Sequence, residues 1–515
     1  MDSDLSDMPY ARGARFDPNK GCLPGTREKI IGEIIQWVNS PNADSVPRIF
    51  FLSGVAGYGK SAIAHAVARQ FHGLGRLGSS YCFDRADQAN RRPGNLLSTI
   101  ALDIADLDRH WRNSLCNVVK DNRSLRTTLS VTEQFENFIL EPAKTLTTVG
   151  PILIVIDGLD ESAEEPSRKA LLEVLGRVAA DLPTNFRILI TSRPERDIAK
   201  AFSDKKCVFC RNLDDIDDND RYSNECDVSL FIETTLSGIP SLESKWPNKH
   251  WCHMLLEGSD GLFQWASTAC RAIKDGEGGL RPTELLTSFC SSTRGLDGLY
   301  FEVLSQSFNP NNAMVMARFK EVMGRILVTK EPLSVSAHSE MYCGSDDAEL
   351  VTLITQSMGS LLSGVNQADA PVHALHASFF EFLTDENRSK SYYVDASRQN
   401  WNLTLSTLRV MKKGLRFNIC GLKTSHLRNS DDHDLPTRIR KAILPHLSYS
   451  CRFWSAHLVS TAYDAEILGE LRDFLYNYLL YWLEFLSLAK YVNIASSMLR
   501  AISEWNQVSQ GFVCL

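Results

Sequence analysis

Three runs of apolar residues in the first two hundred positions lack the alternation of polar and apolar residues that marks a half-exposed strand. They cover residues 49–52, 151–156 and 186–190, and one arginine interrupts the last run. Strands that helices cover on both faces of a parallel sheet show this continuous pattern. Residues 26–37 carry an apolar stripe at helical spacing, and residues 79–84 predict a further strand. The pattern therefore predicts a three-layer α/β domain with a parallel sheet.

Beyond residue 212 the apolar residues follow the helical period with short breaks. Residues 228–304 predict a small helical bundle. Residues 308–395 combine two helices with short apolar strands, as a winged helix does. From residue 398 onward helices dominate. The chain shows no self-similarity at a period of about 30 to 45 residues, so we expect no array of sensor repeats.

The composition is that of a globular protein with several domains. The chain has 515 residues, of which 43% are hydrophobic and 23% are charged, and its net charge is −7. An acidic balance excludes a general nucleic-acid binder, which needs a basic face. The 13 cysteines lack disulfide-framework spacing and the N-terminus is acidic, so we expect reduced thiols and a cytoplasmic location. No segment has the roughly 18 uncharged apolar residues of a membrane span.

A glycine-rich loop follows the first apolar run. Gly54, Gly59, Lys60 and Ser61 form the pattern G-x-x-x-x-G-K-[ST] in front of a helical stretch. Between a strand and a helix, such a loop binds phosphates through its backbone N–H groups; the lysine reaches the β- and γ-phosphates, and the hydroxyl binds Mg²⁺. An ordinary glycine-rich turn is the alternative, which this context disfavours. The predicted nucleotide-binding residues here are Gly54, Gly57, Tyr58, Gly59, Lys60, Ser61 and Ala62.

Acidic and basic residues follow the two later runs. Asp157 ends the second run, and Asp160 and Glu161 follow within one turn. Because ligands collect at the carboxyl ends of parallel strands, Asp157 is expected to hold Mg²⁺ through water. Either Asp160 or Glu161 would orient or deprotonate the attacking water, and the choice stays open. Arg193 follows the third run and is expected to contact a γ-phosphate. The alternatives are a strand-end cap for Asp157 and a surface salt bridge for Arg193.

Three motifs have been described so far: the phosphate loop, Asp157-Gly158-Leu159-Asp160-Glu161 and Thr191-Ser192-Arg193. Four further segments add to them. They are residues 21–27, 261–266, 375–383 and 447–454. Together these motifs resemble the NACHT clade of the STAND signalling NTPases, and within it the fungal branch with a nephrocystin-like N-terminal domain. Residues 375–383 are similar to the family's winged-helix motif, in which His376 is the histidine.

The resemblance implies a fold class and a domain division. The fold is an α/β P-loop NTPase domain followed by a helical bundle, a winged helix and an all-α C-terminal region. The implied parts are a short N-terminal tail at 1–21, a NACHT nucleotide-binding domain at 22–211, a helical domain at 212–306, a winged-helix domain at 307–396 and a C-terminal helical region at 397–515. The tail is too short for an effector domain, and relatives continue into repeats. A truncated version, a minimal switch and a partner-dependent subunit stay open.

The resemblance also implies a signalling switch. A closed monomer would hold ADP or GDP, and exchange for ATP or GTP with Mg²⁺ would open it into a homo-oligomer that hydrolyses the nucleotide slowly. Such a switch would act in fungal innate immunity or self/non-self signalling with unidentified effector or sensor partners. Thr26 and Arg27 are expected near the base and ribose, and His376 at the β-phosphate of the diphosphate. Phe263 stands where relatives often place a proline against adenine. The alternative functions are a simple P-loop NTPase or kinase and a scaffold that never hydrolyses its nucleotide. The alternative for His376 is a purely core role.

Overall fold

The computed structural model describes residues 5–40, 46–120, 122–162, 165–203, 205–214, 218–240, 242, 246–276, 280–291, 295–341, 348–365, 367–424, 426 and 429–511. The outer ends of the predicted tail and C-terminal region, 1–4 and 512–515, lie outside this range. The chain forms two compact units. The first comprises Met1–Lys274 and Arg281–Leu299, and the second comprises Asp275–Leu280 and Tyr300–Leu515. The five-part division of the sequence stays a prediction.

The first unit contains a five-stranded sheet, which confirms the predicted α/β class. Its strands are β1 (Ile49–Ser53), β2 (Leu77–Cys82), β3 (Ile152–Asp157), β4 (Phe186–Ser192) and β5 (Val208–Asn212). They lie in the order β2-β3-β4-β1-β5, and every pairing is parallel. The strand predicted at 79–84 begins and ends two residues earlier. Because β4 lies between β1 and β3, the residues after β4 lie between the phosphate loop and the acids that follow β3.

Both faces of the sheet are buried, which explains the continuous apolar runs. Ile49 and Phe51 belong to one hydrophobic cluster, and Phe50 and Leu52 belong to another. Successive side chains of a strand point to opposite faces, so each cluster takes alternate residues of β1. The α-helices in this part of the chain are Glu28–Asn39, Lys60–Gly73, Pro93–Leu107, Arg109–Lys120, Arg123–Arg126, Val131–Gln134, Glu141–Ala143, Glu165–Asp181, Arg196–Phe202, Asp218–Leu236, Lys249–Ser259, Phe263–Asp275, Pro282–Ser291 and Leu296–Ser307. Shorter turns are the 3-10 helices Arg85–Asp87 and Leu159–Glu161 and the π-helical Phe135–Leu140.

The described part of the predicted N-terminal tail packs against the sheet. Met8, Ala11, Ala14 and Phe16 are buried. The backbone N–H of Cys82, at the end of edge strand β2, donates to the Ala14 carbonyl at 2.7 Å. An edge strand left uncovered exposes backbone groups that can pair with another chain. This segment therefore protects the outer edge of the sheet.

The second unit is mainly helical. Its α-helices are Ala313–Val328, Val335–Glu340, Ala348–Gln356, Ala377–Thr384, Glu386–Ser389, Ala396–Gly414, Leu435–Ala442, Pro445–Leu458, Ala465–Asn477, Leu479–Leu488 and Ala495–Gly511. Strands β6 (Leu362–Ser363) and β7 (His373–Ala374) form an antiparallel pair. Trp454 and Trp482 are fully buried in its core. The winged-helix assignment stays a prediction. Among the described helices, none has both the length and the apolar composition needed to cross a bilayer.

Candidate functional site

The phosphate loop joins the end of β1 to the helix Lys60–Gly73. Gly57 and Gly59 have φ angles of 88° and 89°, a left-handed conformation that favours glycine. Gly59 is the N-cap residue, and as a glycine it has no side chain with which to cap this helix. The first backbone N–H groups of such a helix can bind an anion. A Cβ atom at Gly57 would also lie only 3.0 Å from the Cβ of Gln264. The loop thus has the backbone geometry of a phosphate cradle.

Lys60 lies across this loop. Its Nζ donates to the carbonyl oxygens of Gly54 at 2.6 Å and Val55 at 2.8 Å. Burial lowers the pKa of Lys60; the charge of Asp160 opposes this shift, whereas the charge of Arg193 adds to it. The parallel pairing of β1, β4 and β3 brings the lysine of the loop to the same edge of the sheet as the groups that follow β3 and β4, and these electrostatic interactions agree with that arrangement.

Ser61 and Asp157 offer the oxygen ligands that Mg²⁺ prefers. Ser61 is exposed in the first helical turn, next to the half-buried Ala62. Asp157 is buried at the end of β3, and its Oδ1 accepts a hydrogen bond from the Thr191 hydroxyl at 2.5 Å. The Thr191 Oγ1 in turn accepts the backbone N–H of Gly158 at 3.0 Å. The donor set therefore fits Mg²⁺, with Thr191 fixing the orientation of the Asp157 carboxylate.

Asp160 is bonded to the end of β4. Its Oδ1 accepts the backbone N–H of Arg193 at 3.0 Å and the hydroxyl of Ser192 at 3.3 Å. Its Oδ2 lies 3.2 Å from the Arg193 Nε. Arg193 does form a salt bridge, but with a buried acid of the site. Both carboxylate oxygens of Asp160 contact Arg193 or its neighbour Ser192, so Asp160 holds the end of β4 in place.

Glu161 has a different environment. Its Oε2 accepts the backbone N–H of Arg85 at 3.0 Å. Burial raises the pKa of Glu161 to about 8, and the negative charges of Asp160 and Asp84 act in the same direction. A carboxyl group that titrates in this range can exchange a proton near neutral pH, as a general base must. The two neighbouring acids therefore differ in chemistry.

Arg27 joins the phosphate loop to helices that follow the sheet. Its Nη2 donates to the Tyr58 carbonyl at 2.6 Å, and its backbone N–H donates to the Asp227 Oδ2 at 3.0 Å. The guanidinium lies 4.6 Å from the centre of the Phe263 ring. One charged side chain thus contacts both the loop and the Phe263 ring.

A partly open cleft adjoins Arg27 and Tyr58. Its polar lining includes Asn212 and Asp220. Thr26 is buried, and its hydroxyl donates to the carbonyl of residue 23 at 2.7 Å, within the turn before the helix Glu28–Asn39. The cleft is a candidate place for a base, and contact of Thr26 and Arg27 with a nucleotide stays a prediction.

His376 belongs to the second unit. It is the N-cap residue of the helix Ala377–Thr384, and its Nδ1 accepts the backbone N–H of Ser378 at 3.2 Å. The Ser378 hydroxyl lies 2.6 Å from the same nitrogen and 2.8 Å from the Tyr300 hydroxyl. Helix capping explains these contacts without a nucleotide. The predicted contact of His376 with a β-phosphate stays a prediction.

His65, Cys82 and Asp157 form a buried cluster beside the candidate magnesium residues. One ligand-type atom from each lies within 4.8 Å of the others. The His65 Nδ1 accepts the backbone N–H of Asp17 at 2.9 Å. The neutral ring then carries its proton on Nε2, so neither nitrogen offers a lone pair to a metal. Burial also raises the pKa of the Cys82 thiol. We interpret this cluster as polar packing and not as a second metal site.

Three residues that support the site have no role predicted from the sequence. Thr191 holds Asp157, and it stood in the motif before Arg193. Asp214 accepts the backbone N–H of Val55 at 3.0 Å and so anchors the start of the loop. Asp214 lies in an acidic stretch whose composition alone resembles a solvated linker. Arg168 contacts the turns after β3 and β4, and no motif marks it.

Comparison with known proteins agrees with the motifs. Residues 25–193 match the family described as nephrocystin 3, N-terminal. The chain is also 24% identical over 397 residues to vegetative incompatibility protein HET-E-1 of Podospora anserina. This match covers 70% of the chain but only 26% of the relative, so the chain spans about a quarter of that protein's length. The matches confirm the resemblance to fungal nephrocystin-like proteins of the NACHT type.

Proposed function

We propose, from this relationship and from the site, that the chain is a nucleotide-dependent signalling switch with slow hydrolysis. Its resting state would be a monomer with a bound purine nucleoside diphosphate, and a triphosphate with Mg²⁺ would favour an oligomer. The observation that carries the proposal is the convergence of Lys60, Asp160 and Arg193 at one edge of the sheet. The name of the relative points to incompatibility signalling as the setting. The chain would act in the cytoplasm with unidentified partners.

The phosphate loop would bind the nucleotide through its backbone N–H groups and Lys60. In the described structure the Lys60 ammonium bonds to two loop carbonyls, and β- and γ-phosphate oxygens would replace these acceptors. Ser61 and Asp157 would hold Mg²⁺, which neutralises charge on the phosphates when it is bound. Thr191 would keep Asp157 oriented for that role.

Hydrolysis would use Glu161 as the base that deprotonates or orients water. Its raised pKa supports this assignment, whereas Asp160 is occupied by hydrogen bonds to the end of β4. Arg193 would leave part of its ion pair with Asp160 to contact the γ-phosphate. Because a diphosphate lacks that group, this exchange would differ between the two nucleotide states, and only such a difference can shift a conformational equilibrium.

His376 would contribute the opposite preference. A ring N–H of the histidine would donate to the β-phosphate of the diphosphate and so favour the closed state. Two other readings stay open. A simple P-loop NTPase or kinase would lack a nucleotide-dependent change of assembly, and a scaffold would retain triphosphate without hydrolysing it.

Calorimetry with Mg·ATP and Mg·GTP tests the nucleotide site. Lys60→Ala removes a charged donor, which should weaken binding of the preferred triphosphate by roughly 10- to 150-fold. Lys200→Ala is the matched control, because Lys200 is exposed on the helix Arg196–Phe202 of the same unit. Equal affinities for wild type and Lys60→Ala would refute the phosphate-loop assignment.

A further inference from the structure

Arg168 is an arginine buried next to the candidate site. It lies on the helix Glu165–Asp181 and is only 3% exposed. Its Nε and Nη2 donate to the two carboxylate oxygens of Asp197 at 2.9 and 3.1 Å. The same Nη2 donates to the Glu195 Oε2 at 2.5 Å. Its Nη1 donates to the main-chain carbonyl of Asp160 at 3.1 Å. One guanidinium therefore serves three different residues.

These contacts join two turns that belong to different strands. Asp160 lies in the turn after β3, whereas Glu195 and Asp197 follow β4. Arg193 stands two residues before Glu195, and its carbonyl accepts the Glu195 N–H at 2.9 Å. Asp160 holds the backbone and side chain of Arg193 from the other side. Arg168 thus contacts both residues, Asp160 and Glu195, that hydrogen-bond to Arg193.

The local charge balance also depends on Arg168. Its two carboxylate partners and Asp160 carry three negative charges, which Arg168 and Arg193 oppose with two positive charges. Without Arg168, the carboxylates of Glu195 and Asp197 would lose the cation that pairs with both of them. The turn would also become more negative, and a γ-phosphate brings further negative charge to it.

Packing alone gives a weak reason to bury a guanidinium here. Charged groups are costly to remove from water, and apolar residues of similar volume often fill such a position as well or better. The N–H donors of the Arg168 guanidinium form a rigid fork, and this geometry is suited to holding two carboxylates and a carbonyl in fixed directions.

We propose that Arg168 is a positioning residue that holds Arg193 ready for a γ-phosphate and so sets the preference for triphosphate over diphosphate. The inference rests on the proposed function of the site. It assigns a role in nucleotide discrimination to a residue that itself contacts no phosphate.

The test measures the ratio of the diphosphate Kd to the Kd of a non-hydrolysable β,γ-imido triphosphate, with Mg²⁺, for whichever purine the wild type prefers. In Arg168→Gln this ratio should fall about tenfold, the loss expected for one misplaced charge-assisted hydrogen bond. The diphosphate Kd itself should change by less than about twofold, because no γ-phosphate is involved. Arg177→Gln, on the exposed side of the same helix, should leave both constants unchanged.

Arg168→Gln leaves two carboxylates without their main partner and can fail to fold, so Arg168→Lys is measured alongside it. Lysine keeps the charge but lacks the fork that reaches all three partners, so the ratio should again fall several-fold. A third variant, Arg168→Gln with Glu195→Gln and Asp197→Asn, removes the two negative charges that Arg168 balances in the wild type, and it should restore part of the ratio.

The outcomes separate this inference from the proposed function. A wild type that binds neither nucleotide would overturn both. A wild type that binds them, with a ratio unchanged in folded Arg168→Lys or Arg168→Gln, would overturn the positioning role alone. A lower ratio in these variants, partly rescued by the third, would support it.

Discussion

Glu161→Gln is the substitution that most sharply tests how the site would hydrolyse a nucleotide. Loss of a general base typically slows the chemical step by about 10²- to 10⁴-fold. Binding of Mg·triphosphate should be nearly unchanged, because Lys60, Ser61 and Asp157 supply the phosphate and magnesium contacts. Release of inorganic phosphate under single-turnover conditions, with protein in excess, measures the chemical step without product release.

The pH dependence follows from the pKa of about 8 for Glu161. Only the ionised carboxylate can accept a proton, so the wild-type rate should rise about fivefold between about pH 7 and about pH 8. Glu161→Gln should lose this rising limb. Glu173→Gln, on the exposed side of the helix Glu165–Asp181, is the matched control and should keep it.

Stability provides a check that the variant stays folded. The folded pKa of Glu161 is raised above its ordinary value of 4.5, so the folded protein binds this proton more tightly than the unfolded chain. The stabilisation is therefore fully present below about pH 4.5 and is lost as the pH rises through about 8. Since glutamine carries no charge, Glu161→Gln should be at least as stable as wild type above neutral pH. If Glu161→Gln hydrolyses the nucleotide normally and Asp160→Asn does not, the general base is Asp160, and the assignment of Glu161 is refuted.

Two further substitutions address other parts of the site. Asp157→Asn should weaken Mg²⁺-dependent triphosphate binding by about tenfold while leaving Mg²⁺-independent binding nearly intact. Calorimetry with and without Mg²⁺ measures both affinities. Equal losses of affinity in both conditions would contradict a magnesium role for Asp157. His376→Leu should speed diphosphate release roughly 10- to 150-fold, the effect of one charge-assisted hydrogen bond. The control His376→Asn keeps an N-cap acceptor for the Ser378 N–H. Rapid diphosphate release from both variants would point to the phosphate contact. An unaltered rate of diphosphate release from folded His376→Leu would contradict that contact.

The sequence predicted the parts of this site that have local signatures. The continuous apolar runs identified β1, β3 and β4 because both faces of the sheet are buried. The residues at their ends were predicted because phosphate binding requires glycine, lysine and carboxylate at fixed short spacings. The packing of residues 8–16 against β2 was not predicted, because this segment has neither a strand nor a helix pattern.

The supporting contacts could not be predicted, because they join residues that are distant in sequence. Asp214 bonds to Val55, 159 positions away, and Arg168 bonds to Asp197, 29 positions away. Strand order decides which of these residues meet, and no local pattern encodes that order. The different roles of Asp160 and Glu161 likewise emerged only from their partners, since both acids stand in one short motif.

The most direct test of the switch is the molar mass of the purified chain in two nucleotide states, measured by light scattering after size-exclusion chromatography. Glu161→Gln is the protein to use, because it should retain triphosphate. With diphosphate and Mg²⁺ we expect the mass of a monomer. With triphosphate and Mg²⁺ we expect a larger assembly, which Lys60→Ala should fail to form. The same mass in both states, for protein shown by calorimetry to have bound each nucleotide, would contradict the switch.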